Sequence, residues 1–322
     1  MRPGLTRVTL LSLILTVSAA HASEDAASWL ERMSRAAHSL NYIGTFVYMH
    51  EGKLETMQLV HAVDEAGEHE RLLSLSGPHR EVIREHGQVT CYLPEKDALV
   101  AGHPTTPPGF PLNLPTQWEQ LRDVYDFKLL AVSRVAGLQA QQIAIVPRDT
   151  LRYGQNYWVA TDSGLLLRAD VINEQGDVVE QLEFTSVSLL EHISAQQLQP
   201  QAGSRVVDLS VTSLPSEVKT AQPLHWHVAN LPAGFELELQ RQHAIAGDGV
   251  AVDHLVYSDG LASVSVFIEP RRDSTGENAG TSRRGSVNAY TRLLPQQRVT
   301  VLGEVPPATV RQIGESIEPL AP

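Results

Sequence analysis

The sequence predicts an α+β protein of two domains, in which a large antiparallel sheet with helices is followed by a small antiparallel sheet with a helix. The chain has 322 residues, which corresponds to about two domains of ordinary size. Over residues 24–195, short runs of alternating apolar and polar side chains are separated by turn signals about every ten residues, a pattern typical of an antiparallel meander. A segment rich in Gln, Ser and Pro at residues 196–222 predicts a linker before a second domain at residues 223–318.

Residues 1–22 have the features of a secretory signal peptide. Arg2 and Arg7 give a positive start, and the apolar stretch 8–20 is shorter than the roughly 20 residues that a membrane span needs. Ala20-His21-Ala22 fits the small-x-small cleavage rule, so we expect cleavage before Ser23. Export would place the protein in the periplasm if its source is a Gram-negative bacterium. The alternative is a retained membrane anchor.

The first domain begins with a predicted helix at residues 25–39, because Trp29, Leu30 and Met33 start an apolar stripe at helical spacing. The spacing then changes to two, which predicts strands at residues 42–48, 57–63, 73–75, 82–84 and 89–93. Five prolines at residues 103–115 exclude a paired strand and predict an extended surface loop. The pattern Thr116-x-x-Glu119 predicts a short helix that carries Trp118 and Leu121.

Five more strands are predicted in the first domain, at residues 126–135, 139–146, 156–160, 165–172 and 178–190. Within the linker, residues 206–211 could pair as an edge strand. The second domain is predicted to contain strands at residues 235–242, 251–257, 261–268 and 298–302, with a long polar loop at 269–282. Pro306-Pro307 opens a last helix, which carries Val310, Ile313 and Ile317 on one face.

Charge and motifs exclude several classes of function. The formal net charge is −12, whereas nucleic-acid binding needs a basic footprint. The nucleophile-elbow, zinc-protease, phosphate-loop and dinucleotide signatures are all missing from the sequence. We therefore expect a protein that is not an enzyme and that requires no cofactor.

The cysteine and the histidines are ambiguous. Cys91 is the single cysteine, so the fold cannot depend on an internal disulfide, and its place in an apolar strand favours a small buried side chain over a redox thiol. His225 and His227 share one face of a predicted strand and could bind zinc or copper with His243 or His254. The alternative, which we favour, is ordinary surface and core histidines, so no metal site is predicted.

Two groups of side chains are candidates for binding. Arg80 and Arg84 lie near one turn, and Arg283 and Arg284 lie beside the polar loop of the second domain. Guanidinium groups recognise phosphates and carboxylates through paired donors, although such arginines are often only solvated charge. Phe46, Tyr48 and Met57 lie at the start of the large sheet, and a curved sheet with an apolar inner face can hold acyl chains. A helix packed on that face is the alternative, and both can hold if the helices cover the face incompletely.

Four stretches of the mature chain resemble the family of periplasmic sigma-E regulators called RseB or MucB. They are, in order, 41–48 (Asn-Tyr-Ile-Gly-Thr-Phe-Val-Tyr), Gly77-Pro78-His79-Arg80-Glu81-Val82 running on to Cys91-Tyr92-Leu93-Pro94, Pro147-Arg148-Asp149 through Arg152-Tyr153-Gly154 and 158–169, and Asn288-Ala289-Tyr290 with 299–306. Each stretch is weak alone, but their common order behind a signal peptide is specific. The resemblance covers residues 29–317.

The resemblance implies a first domain like the lipoprotein carriers LolA and LolB, which is a curved half-barrel sheet with a helical lid. It also implies binding to the periplasmic domain of a membrane anti-sigma factor of the RseA or MucA type, which is thereby protected from regulated proteolysis. Lipopolysaccharide or another lipid signal would release the anti-sigma factor. No family motif assigns the contact residues, and association between copies of the chain is left open.

Two other classes of function compete with this interpretation. A periplasmic carrier of lipids or lipoproteins would use the cavity of the first domain alone, and the second domain argues against it. A hydrolase with scattered catalytic residues is the third class, and no motif in the sequence supports it. Binding of an anti-sigma domain would separate the regulator from the carrier.

Overall fold

The computed structural model describes residues 25–85, 88–93, 114–115, 117–200, 205–207, 226–244, 251–271 and 279–320. The predicted signal peptide, nearly all of the proline-rich loop and most of the linker lie outside these residues. In the part of the chain that is described, antiparallel sheets dominate and helices are few, so the predicted α+β class is confirmed.

The larger sheet contains eleven strands, and two α-helices accompany it, one before β1 and one between β10 and β11. The helices are α1 (Ala26–Ala37) and α2 (Ala195–Leu198). The strands are β1 (Tyr42–His50), β2 (Lys53–Asp64), β3 (Gly67–Ser74), β4 (Glu81–Glu85), β5 (Gln88–Leu93), β6 (Tyr125–Val135), β7 (Leu138–Pro147), β8 (Gly154–Ala160), β9 (Leu166–Ile172), β10 (Val178–Leu189) and β11 (Arg205–Val207).

The order of strands across the larger sheet is β11-β5-β4-β3-β2-β1-β10-β9-β8-β7-β6. Among the described residues β11 and β6 form its two edges, so the sheet is not closed into a barrel. Strand β11 lies inside the predicted linker and pairs with β5, as an edge strand near residue 206 would. The open sheet agrees with the half-barrel that the family resemblance implied.

Helix α1 forms because a capping residue precedes an apolar stripe. The side chain of Asp25 accepts a hydrogen bond from the Ser28 amide, which satisfies one of the free amides at the start of the helix. Leu30 and Met33 are fully buried and pack with Ile143 and Tyr157 of the sheet. The second predicted helix is a 3-10 helix, Trp118–Asp123, and Trp118 donates its indole hydrogen to Ser34 of α1 at 2.8 Å. Residue 116, on which the predicted capping box depended, lies outside the described residues.

One face of the larger sheet is continuous from β1 to β7. Residues directly opposite each other on paired strands place their side chains on the same face. By this rule Tyr48 shares a face with Leu182, and the pairing continues through Ala169 and Tyr157 to Ile143. Helix α1 and the 3-10 helix pack on the β6 to β9 part of this face. The apolar cluster around Phe46 and Phe184 contains side chains of strands and loops. Among the described residues, no side chain of α1 or of the 3-10 helix belongs to it.

The smaller sheet contains six strands, and a two-stranded pair and a helix accompany it. Its strands are β13 (Glu236–Ala244), β14 (Ala251–Ser258), β15 (Ser263–Pro270), β16 (Gly280–Arg284), β17 (Val287–Leu293) and β18 (Gln297–Gly303), in the order β13-β14-β15-β18-β17-β16. The pair is β12 (Trp226–Val228) with β19 (Ile317–Pro319), and the helix is α3 (Pro307–Glu315). Val310 and Ile313 of α3 are fully buried against Val299 and Val301, as the predicted apolar face requires. The prediction was wrong for Ile317, because α3 ends at Glu315 and Ile317 begins β19, where it is buried in the same cluster.

Part of the predicted polar loop is folded. Gly280–Arg284 forms the edge strand β16 and pairs with β17, and neither strand was predicted. All five residues of β16 are exposed, so its sequence carries no apolar alternation that would mark a strand. Gly285, with φ at 61°, supplies the left-handed backbone of the β16–β17 turn.

Candidate functional site

The predicted lipid residues lie together on the continuous face of the larger sheet. Met57 is directly opposite Phe46 on β2, and Phe184 is opposite Phe46 on β10. The rings of Phe46 and Phe184 are 5.5 Å apart between centroids. Phe46 is fully buried, and Met57 is 7% exposed. These two side chains therefore belong to a packed apolar cluster, and an acyl chain would have to enter between its members.

Tyr48 differs from the other two lipid candidates because it has a polar partner. Its hydroxyl donates a hydrogen bond to Glu180 of β10, and its ring stacks on His50 with centroids 4.7 Å apart. Burial and the neighbouring Glu180 carboxylate raise the pKa of Tyr48 above its ordinary value. The hydroxyl therefore stays protonated and acts as a donor at neutral pH.

The arginines predicted to bind anions in the first domain are both in ion pairs. Arg80 pairs with Glu55 of β2, and Arg84 pairs with Glu70 of β3 at 2.5 Å. Burial raises the pKa of Glu70, and the Arg84 charge acts in the opposite direction. Arg80 retains 35% of its side-chain exposure and Arg84 21%, so each presents only part of its guanidinium group to a ligand.

Arg283 and Arg284 lie on the exposed edge strand β16. The Arg283 Nε donates to the carbonyl of Gly285 at 2.9 Å. The Arg284 Nε lies 2.5 Å from the Glu51 carboxylate, which belongs to the β1–β2 turn of the larger sheet. Arg284 is nevertheless 76% exposed. This pair connects the hairpin that carries Phe46, Tyr48 and Met57 to the smaller sheet, so the structure brings two separately predicted groups together.

A second set of hydrogen bonds supports the same contact, which we call the hairpin contact. Ser286, in the β16–β17 turn, donates to Glu180 at 2.8 Å, and Glu180 also accepts from Tyr48. Ser286 is 6% exposed. Arg80 and Arg84 pair only with carboxylates of the larger sheet in the contacts described above, so they take no part in this contact.

The two sheets also meet at a buried contact that the sequence did not reveal. Arg152, in the β7–β8 loop, and Asp259, in the β14–β15 turn, form an ion pair of 2.7 Å in which both side chains are fully buried. Tyr125 of β6 donates to the same carboxylate oxygen at 2.9 Å. Burial and the Asp259 charge raise the pKa of Tyr125 well above its ordinary value, so this hydroxyl also remains a donor.

Signals for this buried contact existed in the sequence, but they were interpreted differently. Arg152 stands in one of the stretches that resemble the RseB or MucB family, and Asp259 lies in the short segment between the strands predicted at 251–257 and 261–268. The pair is 107 positions apart, and nothing in the spacing of either residue indicates the other. A loop arginine and a turn aspartate become partners only through the fold.

The cysteine and the histidines weighed as metal ligands give no further site among the described residues. Cys91 is 8% exposed, and burial raises the pKa of its thiol. His225 and the side chain of His243 lie outside the described residues. Within the described ranges, no group of three His, Cys, Asp or Glu side chains could hold a metal ion. None of the described helices is long and apolar enough to cross a membrane.

The fold and the two contacts define a class of protein in which an open antiparallel sheet is joined by polar side chains to a small α+β unit. Two family models match this chain, the MucB/RseB N-terminal domain over residues 25–202 and the MucB/RseB C-terminal domain over residues 220–318. The chain belongs to the MucB/RseB family, and the resemblance found in the sequence is confirmed.

Named relatives cover nearly the whole chain. The sigma factor AlgU regulatory protein MucB of Pseudomonas aeruginosa is 34% identical over 318 residues, which cover 97% of this chain and 96% of that protein. The sigma-E factor regulatory protein RseB of Escherichia coli strain K12 is 26% identical over 308 residues, or 95% and 94% of the two chains. These relatives are named as regulators of sigma factors.

Solved structures of MucB share the fold. A crystal structure of MucB in complex with MucA(peri) has a TM-score of 0.75 and 32% identity, and covers 92% of this chain and 100% of that one. A crystal structure of MucB has a TM-score of 0.62 at the same identity and covers 92% of this chain and 98% of that one.

Proposed function

We propose that this protein is a non-enzymatic periplasmic regulator of the envelope stress response that binds the periplasmic domain of a membrane anti-sigma factor. The observation that carries the proposal is the match, over 92% of the chain, to MucB in complex with MucA(peri). Binding would cover the anti-sigma segment and protect it from regulated proteolysis. The expected signal peptide supports a periplasmic location.

The comparison of whole-chain coordinates supports the same proposal. The structure superimposes on MucB in its complex with MucA(peri) with a TM-score of 0.75, and on the other MucB crystal structure with 0.62. At equal sequence identity and equal coverage of this chain, the structure is therefore more similar overall to a partner-bound relative.

We further propose that lipid acyl chains, such as those of lipopolysaccharide, enter the apolar cluster of Phe46, Tyr48 and Met57 and release the partner. Burial of acyl chains is worth about 0.8 kcal/mol per methylene, so several methylenes offset the cost of association. The part of the face near Phe46 is packed by strand side chains and not by α1, which supports entry at this end. The hairpin contact joins this end of the face to the smaller sheet, because Glu51 and Glu180 bind Arg284 and Ser286.

The proposal is tested by measuring the affinity of the full chain for MucA(peri) with and without lipopolysaccharide, and the affinity for lipopolysaccharide with and without MucA(peri). Linkage requires both affinities to fall by the same factor, typically about five- to 150-fold. Unchanged affinities would reject the switch. Lipid binding without any MucA(peri) binding would instead favour a periplasmic lipid or lipoprotein carrier.

A matched pair of variants on β2 locates the lipid site. Met57→Gln places an amide in the buried cluster, whereas Leu54→Gln changes a side chain on the opposite face of the same strand that is 70% exposed. We expect Met57→Gln to weaken binding of lipopolysaccharide and Leu54→Gln to leave it unchanged. Equal effects of the two variants would show that acyl chains bind elsewhere.

A further inference from the structure

The buried ion pair of Arg152 and Asp259 carries an inference about how the two sheets are positioned. We infer that Arg152 is a positioning residue that fixes the smaller sheet against the larger one, and that this orientation sets the affinity for the anti-sigma partner. The effect on partner affinity rests on the proposed function. The positioning role rests on the contacts of Arg152 and Asp259 and is tested without a partner.

Each carboxylate oxygen of Asp259 accepts two hydrogen bonds, and one of the two oxygens joins the sheets. One oxygen, Oδ1, accepts hydrogen bonds from the amides of Leu261 and Ala262 within its own turn, at 3.0 and 2.7 Å. The other, Oδ2, accepts from Arg152 and Tyr125 of the larger sheet's side. One oxygen therefore shapes the β14–β15 turn while the other holds the opposite unit.

We call the buried contact around Arg152 and Asp259 the junction. Arg152 forms hydrogen bonds to groups on both sides of it. Its Nε and one terminal nitrogen donate to Asp259 and to the carbonyl of Ala233, which both belong to the smaller unit, and the other terminal nitrogen donates to Asp149 of its own loop. Its guanidinium carbon also lies 5.2 Å from the ring centroid of Phe235. A planar group with fixed donor directions determines an orientation as well as a distance, which a flexible lysine would not do.

The surrounding backbone is shaped for close approach at this contact. Gly234 has φ at 80°, and a Cβ built there would lie 2.9 Å from Val124 and 3.6 Å from the Arg152 guanidinium. Leu261 packs on the apolar cluster of the larger sheet. Two neighbours of Arg152 make further bonds across the junction, since the Leu151 carbonyl accepts from Thr309 at 2.6 Å and the Tyr153 hydroxyl accepts from Asn288 at 2.8 Å. The β7–β8 loop is therefore held at several points, with the ion pair at its centre.

The burial of the pair separates it from the arginines at the surface. Removing one member of a buried pair leaves an uncompensated charge, whereas an exposed pair is replaced by water at little cost. Arg148 provides the matched control, because it lies in the same loop region, is 51% exposed and pairs with Asp126 of the same sheet at 2.9 Å. Loss of Arg148 should leave the junction intact.

The test measures the distance between the two units by pulsed electron spin resonance on the full chain. Spin labels are placed at Glu65→Cys and Gln296→Cys, in exposed turns of the larger and smaller sheets, in a Cys91→Ser background. The variants are Arg152→Gln, Asp259→Asn and the control Arg148→Gln. Asp259→Asn keeps Oδ1 as the acceptor for the turn amides and replaces Oδ2, the acceptor for Arg152 and Tyr125, by an uncharged NH2 group. It therefore breaks the pair from the other side and remains informative if Arg152→Gln fails to fold.

We expect one narrow distance distribution in the parent and in Arg148→Gln, and a broad distribution in Arg152→Gln and Asp259→Asn with near-ultraviolet circular dichroism retained. If the binding-competent arrangement falls to about one molecule in ten, the apparent affinity for MucA(peri) falls about tenfold. Compared with Arg152→Gln, Arg152→Lys should recover part of the narrow distance distribution and part of the affinity. Lysine restores the positive charge but not the planar guanidinium group with its fixed donors.

Three results would overturn the inference. A narrow distribution in folded Asp259→Asn would show that the pair does not set the orientation. A broad distribution with unchanged affinity would remove its role in partner binding. Loss of the near-ultraviolet circular dichroism in both Arg152→Gln and Asp259→Asn would show that the ion pair stabilises the packing within a sheet and does not merely orient the two sheets. If the parent fails to bind MucA(peri), the proposed function fails, while the distance measurements still decide the positioning role.

Discussion

Gly44 offers a quantitative test of the packing around the proposed lipid face. A Cβ placed on Gly44 would lie 2.6 Å from Cδ1 of the Phe184 ring. Carbon atoms in favourable contact are about 3.5–4.0 Å apart, so the ring would have to move by about 1 Å. Phe184 is 2% exposed, with the Phe46 ring 5.5 Å and the Tyr42 ring 6.2 Å away between centroids, so it has little room to move.

We therefore expect Gly44→Ala to destabilise the protein. Overpacking of a core costs about 1–3 kcal/mol, while replacing a strand glycine by alanine returns about 0.4–1 kcal/mol through the unfolded state. The mid-range values of these two estimates, about 2 and about 0.7 kcal/mol, give a net loss in the free energy of unfolding of about 1.3 kcal/mol. Urea unfolding followed by tryptophan fluorescence measures it, provided that the denaturant slope stays constant.

Two further variants make the Gly44 prediction specific. Gly154→Ala is the matched control, because this glycine also lies in the larger sheet and its added Cβ would meet no atom closer than 3.4 Å. We expect it to be neutral or slightly stabilising. The double variant Gly44→Ala with Phe184→Leu should recover part of the loss relative to the sum of the single changes. If Gly44→Ala is as stable as Gly154→Ala, Phe184 does not fill the space above Gly44 and the described packing is wrong.

Three other predictions concern charge and titration. Replacing Arg283 and Arg284 by Ala should weaken MucA(peri) binding, while calorimetry should show a stability change below about 1 kcal/mol, because the Arg284 side chain is 76% exposed; a large stability loss with unchanged binding would contradict this. Burial lowers the pKa of His61, so the unfolded state binds the proton more readily and the free energy of unfolding should fall as pH is lowered through about 6.5. The fall should be smaller in His61→Gln, and equal pH profiles by urea unfolding would refute it. Cys91 should react with a thiol reagent far more slowly in the native protein than in urea, since it is 8% exposed and burial raises its pKa; equal rates would show an accessible thiol.

The fold was predictable wherever one face of an element is buried. Helix α1 shows a capping residue and an apolar stripe, and strand β1 alternates from Tyr42 to Tyr48, so both follow from periodicity alone. Strand β16 could not be found in this way, because all five of its residues are exposed and its pairing with β17 is a property of the sheet. Apolar periodicity arises because one face of an element is buried. An edge strand that is exposed on both faces, such as β16, therefore shows no such periodicity.

The chemical character of the candidate site residues could be predicted from the sequence, but their contact partners could not. The apolar character of Phe46 and Met57 and the exposure of Arg284 follow from their local sequences, whereas the contacts of Arg284 with Glu51 and of Ser286 with Glu180 join separate parts of the chain. Arg152 was the hardest residue to assign, because a charged side chain in a loop is ordinarily solvated. Its full burial depends on the acceptors that Asp259 and Ala233 supply from the other unit.

The two contacts between the sheets differ in what a ligand could change. The Arg152 contact is fully buried and bonded on every side, so a ligand on the apolar face does not reach it without disrupting the core. The hairpin contact begins on β1, where Tyr48 follows Phe46 by two residues, and the Arg284 side of its Glu51–Arg284 pair is open to solvent. An acyl chain inserted beside Phe46 would displace β1 and strain the hydrogen bonds that Tyr48 and Ser286 donate to Glu180. A switch that releases a partner therefore needs the hairpin contact to yield while the Arg152 contact holds, and an Arg284→Ala variant should show weaker coupling between lipid and MucA(peri) than the parent.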